Sequence, residues 1–286
     1  MISLNNLAEN KNMVVIDQKG VFSVFEHQKD MSVSPQFASV AYFMHEMNVR
    51  KRQVLCNLNN SSVKVQAGAM QWTAGRVDSE TGVKGVGDFF GKALKGAVTK
   101  ESTVKPIYQG SGFLMLEPTY RYIILEDIGN WGSGIVLDDG LFLACDASLS
   151  DNVVARSNVS SALLGGEGLF NLSLSGQGIA VLESPVPREE LIEIEVQDDI
   201  VKIDGNMAIA WSASLQFTVE KSSKTLMGSA VNGEGFVNVY RGTGKILLAP
   251  TLNPGTSMSD THGPKDSNTT SSKGIVSSVM KSALDL

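Results

Sequence analysis

Three glutamates that recur at a nearly constant spacing have the plainest potential for chemistry in this sequence. Glu101, Glu167 and Glu234 follow one another at almost equal intervals, in the local sequences KES, GEG and GEG. Carboxylates brought toward one axis by a threefold arrangement would form an oxygen-rich cation site. The alternative is that each glutamate accepts backbone N–H bonds beside a glycine turn and recurs only because the fold recurs. Both interpretations need elements that place the three residues in equivalent positions.

The sequence carries no catalytic pattern. Its three histidines, His27, His45 and His262, are not spaced as the His and carboxylate ligands of a β-barrel metal enzyme would be. None of the motifs GxGxxG, GxxxxGK[ST] and GxSxG occurs among its 28 glycines. Cys56 and Cys145 stand in apolar surroundings, which predicts small buried thiols. We therefore predict a protein that is not an enzyme and that binds no cofactor.

A second candidate site is a segment with helical spacing at residues 83–98. Its apolar residues recur at intervals of three and four while its lysines lie off that stripe, although four glycines weaken the helix. Such a segment suits a membrane surface or a protein partner; the alternative is a helix that covers the open end of a β core. The predicted contact residues are Val86, Phe89, Phe90, Lys92, Leu94 and Lys95.

The charge balance limits the possible partners. A formal net charge of −6 argues against binding to nucleic acid, which needs a basic face. The first residues lack the charged and apolar regions of a secretory signal, and no apolar run approaches the roughly 18 residues of a membrane span. We expect a bacterial cytoplasmic protein, with attachment to the membrane surface as an open alternative. The sequence does not indicate an oligomeric state.

Paired glycines reveal the organisation of the chain. The pairs Gly110/Gly112, Gly176/Gly178 and Gly242/Gly244 follow one another at one constant interval, and each is followed by an apolar run and a proline. This spacing predicts three copies of one unit, at residues 50–118 (repeat 1), 119–185 (repeat 2) and 186–250 (repeat 3). Repeat 1 carries the insertion at residues 83–98.

Each repeat has the pattern of short strands joined by turns. Ile192, Ile194 and Val196 alternate with glutamates, which predicts a strand with one buried face. Asp-Gly and Gly-Asn pairs near Gly140 and Gly205 predict hairpins, and each paired-glycine motif predicts a further hairpin turn. The fold class is therefore all-β, a tandem of three similar units of about 66 residues.

The two ends of the chain lie outside the repeats. Residues 1–49 form an N-terminal extension in which residues 14–16 and 21–25 resemble strands that pack on the repeats. Residues 251–286 are rich in Ser, Thr, Asn and Gly, which predicts a flexible tail with a short helix at residues 274–286.

The strand FLACDASL, the following LLGGEGLFNLSLSGQGIAVLESP and the earlier GAMQWTAG together resemble the altered-inheritance-of-mitochondria 24 (mitochondrial biogenesis) family. The resemblance covers about residues 50–250. It implies three strand-exchanged domains with a fold similar to tryptophan RNA-binding attenuation protein, a short variant of the double-stranded β-helix. It brings no catalytic residues, and its mitochondrial members are associated with inner-membrane organisation.

These observations predict a non-enzymatic structural or interaction protein, with attachment to a membrane as one form of that role. The alternative is a small-molecule or cation-binding β module that uses the clefts between repeats. For an interaction protein, we expect the target to be a protein partner or a membrane surface.

Overall fold

The computed structural model describes residues 2–7, 9–80, 105–155, 170–221 and 236–251, all of which belong to one compact unit, Met1–Leu252. The insertion at residues 83–98 and the predicted tail from residue 252 onward lie outside the described residues. Within the described part the chain is mostly β-strand, with one short α-helix. The all-β prediction is confirmed.

Fifteen strands can be assigned in the described part of the chain. They are β1 (Met13–Lys19), β2 (Phe22–His27), β3 (Arg52–Val65), β4 (Met70–Glu80), β5 (Ile107–Leu116), β6 (Tyr122–Asp127), β7 (Ile135–Leu137), β8 (Phe142–Asp146), β9 (Ser150–Ala155), β10 (Phe170–Ser175), β11 (Ile179–Ser184), β12 (Ile192–Asp204), β13 (Ala208–Ser212), β14 (Gln216–Lys221) and β15 (Phe236–Leu248). The helix α1 spans Ala38–Glu46, directly after a 3₁₀ turn at Pro35–Phe37. No helix among these residues is long and apolar enough to cross a membrane.

The strands form two antiparallel sheets. The first has the order β1-β2-β3-β8-β11-β6, with β5 paired to β3 and β4 to β5. The second has the order β12-β15-β13-β7-β10-β9, with β14 paired to β15. Repeat 2 contributes strands to both sheets, so it joins repeat 1 on one side and repeat 3 on the other.

The pairing pattern recurs at the spacing that the glycines predicted. In repeat 3, β12 pairs along β15, whose other edge is covered by β13 and β14. In repeat 1, β3 and β4 flank β5 in the same way. One closing hydrogen bond also recurs, from the backbone N–H of Glu117, Glu183 and Ala249 to the carbonyl oxygens of Ala69, Leu141 and Met207. The division into three repeats stays a prediction, with this recurrence in its favour.

The predicted hairpins at Gly140 and Gly205 are wrong. Turns are present at both glycines, whose φ angles are 77° and 57°. However, β7 pairs with β13 and not with β8, and β12 pairs with β15 and not with β13. A glycine with positive φ allows a tight turn, but partners distant in sequence decide which strands pair.

The predicted hairpins at the paired glycines are also wrong. Gly110/Gly112 and Gly242/Gly244 lie inside the continuous strands β5 and β15, and Gly176/Gly178 connects β10 and β11, which belong to different sheets. At Gly110, where φ is 131°, a Cβ would overlap the carbonyl oxygen of Arg76 on the neighbouring strand. The glycines therefore allow close approach and bending of a strand, not its reversal.

Buried apolar residues form separate clusters along the molecule. One cluster joins repeat 1 to repeat 2, with Val54, Leu114 and Val63 packed near Leu143 and Val181. Another joins repeat 2 to repeat 3 through residues that include Leu137, Phe142, Ile209 and Leu247. The predicted buried thiols Cys56 and Cys145 are both free and buried. The predicted buried face of β12 is wrong at Ile192, which is exposed, because no further strand of the described residues packs there.

The N-terminal extension contains the two strands that the sequence indicated. β1 pairs with β2, and β2 pairs with β3 from Phe22 opposite Cys56 to Glu26 opposite Arg52. The chain then leaves the sheet, forms α1 and returns at β3. The pattern of apolar residues in this stretch does not predict a helix.

Candidate interaction surface

The residues that the sequence singled out lie outside the part of the chain that the structure describes. These are Glu101, Glu167 and Glu234, together with the six predicted contact residues of the insertion. Among the described residues, no group of three or more His, Cys, Asp or Glu side chains is placed to hold a metal ion. The surface with the clearest potential for binding lies instead in the N-terminal extension.

This surface is the helical segment, residues 31–47. None of the side chains of α1 is buried. Six large apolar side chains of the whole segment are between 53% and 78% exposed, far more than apolar residues of a folded core. The exposed side chains are Met31, Phe37, Val40, Tyr42, Phe43 and Met47. Val40, Phe43 and Met47 follow one another at helical intervals of three and four and therefore form a single stripe.

The N-terminal end of the helical segment is fixed to the β body by Asp30. Its carboxylate accepts hydrogen bonds from the Tyr120 hydroxyl at 2.6 Å and from the Lys51 ammonium at 3.0 Å. Partial burial raises the pKa of Asp30, but hydrogen bonds from Tyr120, Ser32 and Lys51 outweigh that effect and hold the pKa well below its usual range. Burial, the hydrogen bond and the Asp30 charge raise the pKa of Tyr120 to about 12. The start of the segment is thus held by a charged anchor.

The C-terminal end is fixed by Asn48. This residue has a φ of 60°, a left-handed conformation that Asn tolerates well and that ends a helix. Its carbonyl oxygen accepts hydrogen bonds from the Arg52 guanidinium at 3.3 Å and from the Tyr122 hydroxyl at 3.2 Å. The Arg52 guanidinium also lies 4.2 Å from the centre of the Tyr122 ring. Both ends of the segment are therefore attached to the start of β3 and to the connection that leads into β6.

A buried ion pair supports the C-terminal anchor. Arg52, whose side chain is 2% exposed, donates to the carboxylate of Glu26 at 2.8 Å. Glu26 accepts a second bond, from Arg50, at 2.9 Å. A charged group in such a position is costly to bury without its partner. The pair therefore ties β2 to β3 next to the C-terminal anchor at Asn48.

An apolar groove lies on the outer side of repeat 1, beneath the N-terminal residues. Its volume is about 690 Å³, which falls in the range of small-molecule sites. The lining residues are mostly apolar and include Ile2, Leu4, Leu7, Met13, Phe25, Leu55 and Phe113. The groove supplies shape and apolar contact, with Ser3 and Asn10 as polar lining residues.

The sequence carries only a weak signal for the helical segment. The stretch ASVAYFMHE follows a Pro at the start of a turn, but its apolar residues are not confined to the stripe of Val40, Phe43 and Met47, because Ala41 and Tyr42 lie off it. The 3.6-residue periodicity of a helix that packs on a core is therefore weak.

Comparisons with known proteins cover the β body. Residues 45–251 match the model of a family described as Mitochondrial biogenesis AIM24. The chain is similar to an uncharacterized protein of Streptococcus pyogenes serotype M6, with 30% identity over 198 residues, 66% of this chain and 77% of the relative. It is also similar to an X-ray crystal structure of a protein from Streptococcus pyogenes, with a TM-score of 0.53 and 28% identity, over 72% of this chain and 90% of that protein. Most of the helical segment precedes the region that the family model matches.

Proposed function

The chain belongs to the Mitochondrial biogenesis AIM24 family, and from that premise we propose that it is a non-enzymatic interaction protein whose β body presents the helical segment to a partner protein. The observation that carries this proposal is the exposure of six large apolar side chains on a segment whose two ends are anchored. An exposed apolar surface of this kind marks an interaction site more often than a free surface.

The contact mode follows from the geometry of the stripe. Val40, Phe43 and Met47 lie on one face of a short helix, which suits an apolar groove in a partner protein. Rigid anchors at Asp30 and Asn48 lower the entropy that binding would otherwise cost. The partner therefore presents a groove of apolar side chains long enough for about two helical turns.

A protein partner is favoured over a membrane by the charges near the segment. The segment is flanked in the sequence by Lys29, Arg50 and Lys51. Arg50 is already paired with Glu26, and Lys51 with Asp30. Paired cations are poorly placed to attract anionic lipid headgroups, which usually strengthen the binding of surface helices that carry several basic residues. The formal net charge of −6 acts in the same direction.

Site-specific photo-crosslinking tests the proposal in the native cell. A crosslinking residue is placed at Phe43, and a control is placed at Val153, an exposed apolar residue of β9. We expect a defined protein adduct at position 43 and none at position 153. The purified partner should then bind the intact chain, and the double variant Phe43→Ser, Met47→Ser should weaken binding by about tenfold or more, from the apolar area that is lost.

Two results would contradict this function. One is the same pattern of adducts at both positions. The other is that the intact chain sediments with anionic phospholipid vesicles while the Phe43→Ser, Met47→Ser double variant does not. That result would assign the segment to a membrane surface and make the protein a peripheral membrane scaffold.

A second candidate function is binding of a small apolar molecule in the groove on repeat 1, which its volume and lining favour. The substitution Leu7→Trp would fill part of the groove without altering the β body. Titration with an apolar fluorescent dye should then show weaker binding than in the intact chain. Equal dye binding by both proteins would exclude the groove as the site.

A further inference from the structure

Two sheet edges at opposite ends of the row of repeats have no strand beside them among the described residues. The first is the edge of β12 at residues 200–204, because β12 pairs only with β15. The second is the edge of β4 at residues 70–75, because β4 pairs only with β5. These will be called the β12 edge and the β4 edge.

The corresponding edges inside the molecule are joined to each other. At the contact of repeats 1 and 2, the end of β3 pairs with β8, with Lys64 opposite Cys145 and Val65 opposite Ala144. The backbone N–H of Gln66 donates to the carbonyl of Leu143. The end of the first strand of one repeat therefore meets the second strand of the next.

The contact of repeats 2 and 3 has the same register. Here β7 pairs with β13, with Val136 opposite Trp211 and Leu137 opposite Ala210. The backbone N–H of Asp138 donates to the carbonyl of Ile209. Leu143 and Ile209 are separated by the same interval as successive glycine pairs, so the two contacts are equivalent at the level of single hydrogen bonds.

This register assigns the residues that would meet if the contact were made once more. The pairing of each strand with β5, with β10 and β11, or with β15 shows which residues are equivalent. Ile203 of β12 corresponds to Leu137, and Trp72 of β4 corresponds to Ala144 and Ala210. The continued ladder places Lys202 opposite Thr73 and Ile203 opposite Trp72. The backbone N–H of Asp204 would donate to the carbonyl of Gln71.

Burial differs sharply between the joined and the open edges. Strands β8 and β13 are buried almost throughout: Phe142 of β8 is 2% exposed and Trp211 of β13 is 3% exposed. At the open β4 edge, Met70 is 41% exposed, and Gln71 and Thr73 are exposed as well. The β4 edge therefore lacks a cover that the corresponding strands β8 and β13 possess.

The outer face of repeat 3 next to the β12 edge carries partly buried apolar side chains such as Val201 and Phe217. They pack on the buried rings of Trp211 and Tyr240, whose centres lie 5.3 Å apart. In repeat 2 the matching face is covered by repeat 3. The outer face of repeat 1 is also apolar, because Trp72 and Leu7 both pack against the buried cluster of Phe25, Leu55 and Met115.

We propose that the β12 edge of one chain pairs with the β4 edge of a second copy of this chain, which repeats the internal contact between chains. The N-terminal residues packed on repeat 1 then form part of the surface that the second copy meets. Because the two edges differ, the contact is head-to-tail, and each added copy leaves a further edge open until a ring closes.

Sedimentation velocity over a range of concentrations tests the proposal with the full chain. We expect species larger than one chain whose share grows with concentration. Four proteins separate this contact from others: the intact chain, Thr73→Lys, Thr73→Glu, and the double variant Thr73→Lys, Lys202→Glu. Both positions are exposed, so the substitutions should not disturb folding.

Opposite charges across a ladder attract and like charges repel. Thr73→Lys should raise the dissociation constant of self-association by about threefold to fivefold, and Thr73→Glu should lower it by a similar factor. The double variant should restore association. A monomeric intact chain at all concentrations would overturn the proposal, and so would an association that is equal in all four proteins, because the contact would then lie elsewhere.

Discussion

The buried ion pair below the helical segment gives the most demanding prediction. The substitution Glu26→Gln removes the charge that Arg52 faces at 2.8 Å, while the Arg52 side chain stays almost fully covered, at 2% exposure. Loss of one partner of a buried pair costs about 3–5 kcal/mol, because the other charge is left uncompensated. The carbonyl of Asn48 and the Tyr122 ring remain near the guanidinium and soften the loss. We therefore expect a decrease of about 3 kcal/mol in the free energy of unfolding.

Urea denaturation followed by tryptophan fluorescence measures this change, since Trp131 and Trp211 are buried in the β body. The matched control is Glu193→Gln, which breaks the exposed pair with Arg188 and should change the free energy of unfolding by about 0.5 kcal/mol or less. Equal effects of the two substitutions would refute the reasoning. A loss below about 1 kcal/mol at Glu26 would show that the pair does not depend on burial.

Three further predictions concern single groups. The pKa of Tyr120 is about 12 in the folded chain, above the unfolded value near 10, so its bond to Asp30 stabilises the fold below about pH 10 and is lost as the pH rises through 12. The substitution Asp30→Asn should lower the midpoint of tyrosinate formation, as measured by ultraviolet difference spectroscopy. An unchanged midpoint would contradict this anchor. Burial raises the pKa of Cys145 to about 12 and that of Cys56 further, so neither thiol should react with Ellman's reagent before unfolding, whereas fast labelling of the native chain would show an open core. Gly110→Ala should destabilise the fold by about 1–3 kcal/mol, as measured by urea denaturation, because its φ is 131° and its Cβ would meet the Arg76 carbonyl; a neutral effect would show that β4 and β5 can move apart.

The sequence alone determined the class of the fold and the positions of several strands. Apolar patterns placed strands at residues 14–16, at residues 21–25 and from Ile192 onward, since such patterns are local properties of the chain. The burial of both cysteines followed from their apolar neighbours for the same reason. The recurrence of glycine pairs at one constant interval also indicated equivalent segments, and the hydrogen-bond pattern recurs at that spacing.

Only the tertiary structure decided which strands pair. The turns at Gly140 and Gly205 are where the sequence placed them, yet the strands on either side separate, because each finds a better partner far along the chain. The sequence likewise carried a weak signal for the helical segment but none for its exposure. Whether an apolar residue is covered depends on neighbours that approach only in the folded chain.

Two residues show this limit clearly. Ile192 has the alternating pattern of a buried strand but is exposed, because among the described residues no strand follows repeat 3 to cover it. Phe43 is apolar and aromatic but is also exposed, on a helix none of whose side chains is buried. The neighbouring residues in the sequence determined the backbone conformation at these two positions. The packing of distant segments determined whether each side chain faces solvent.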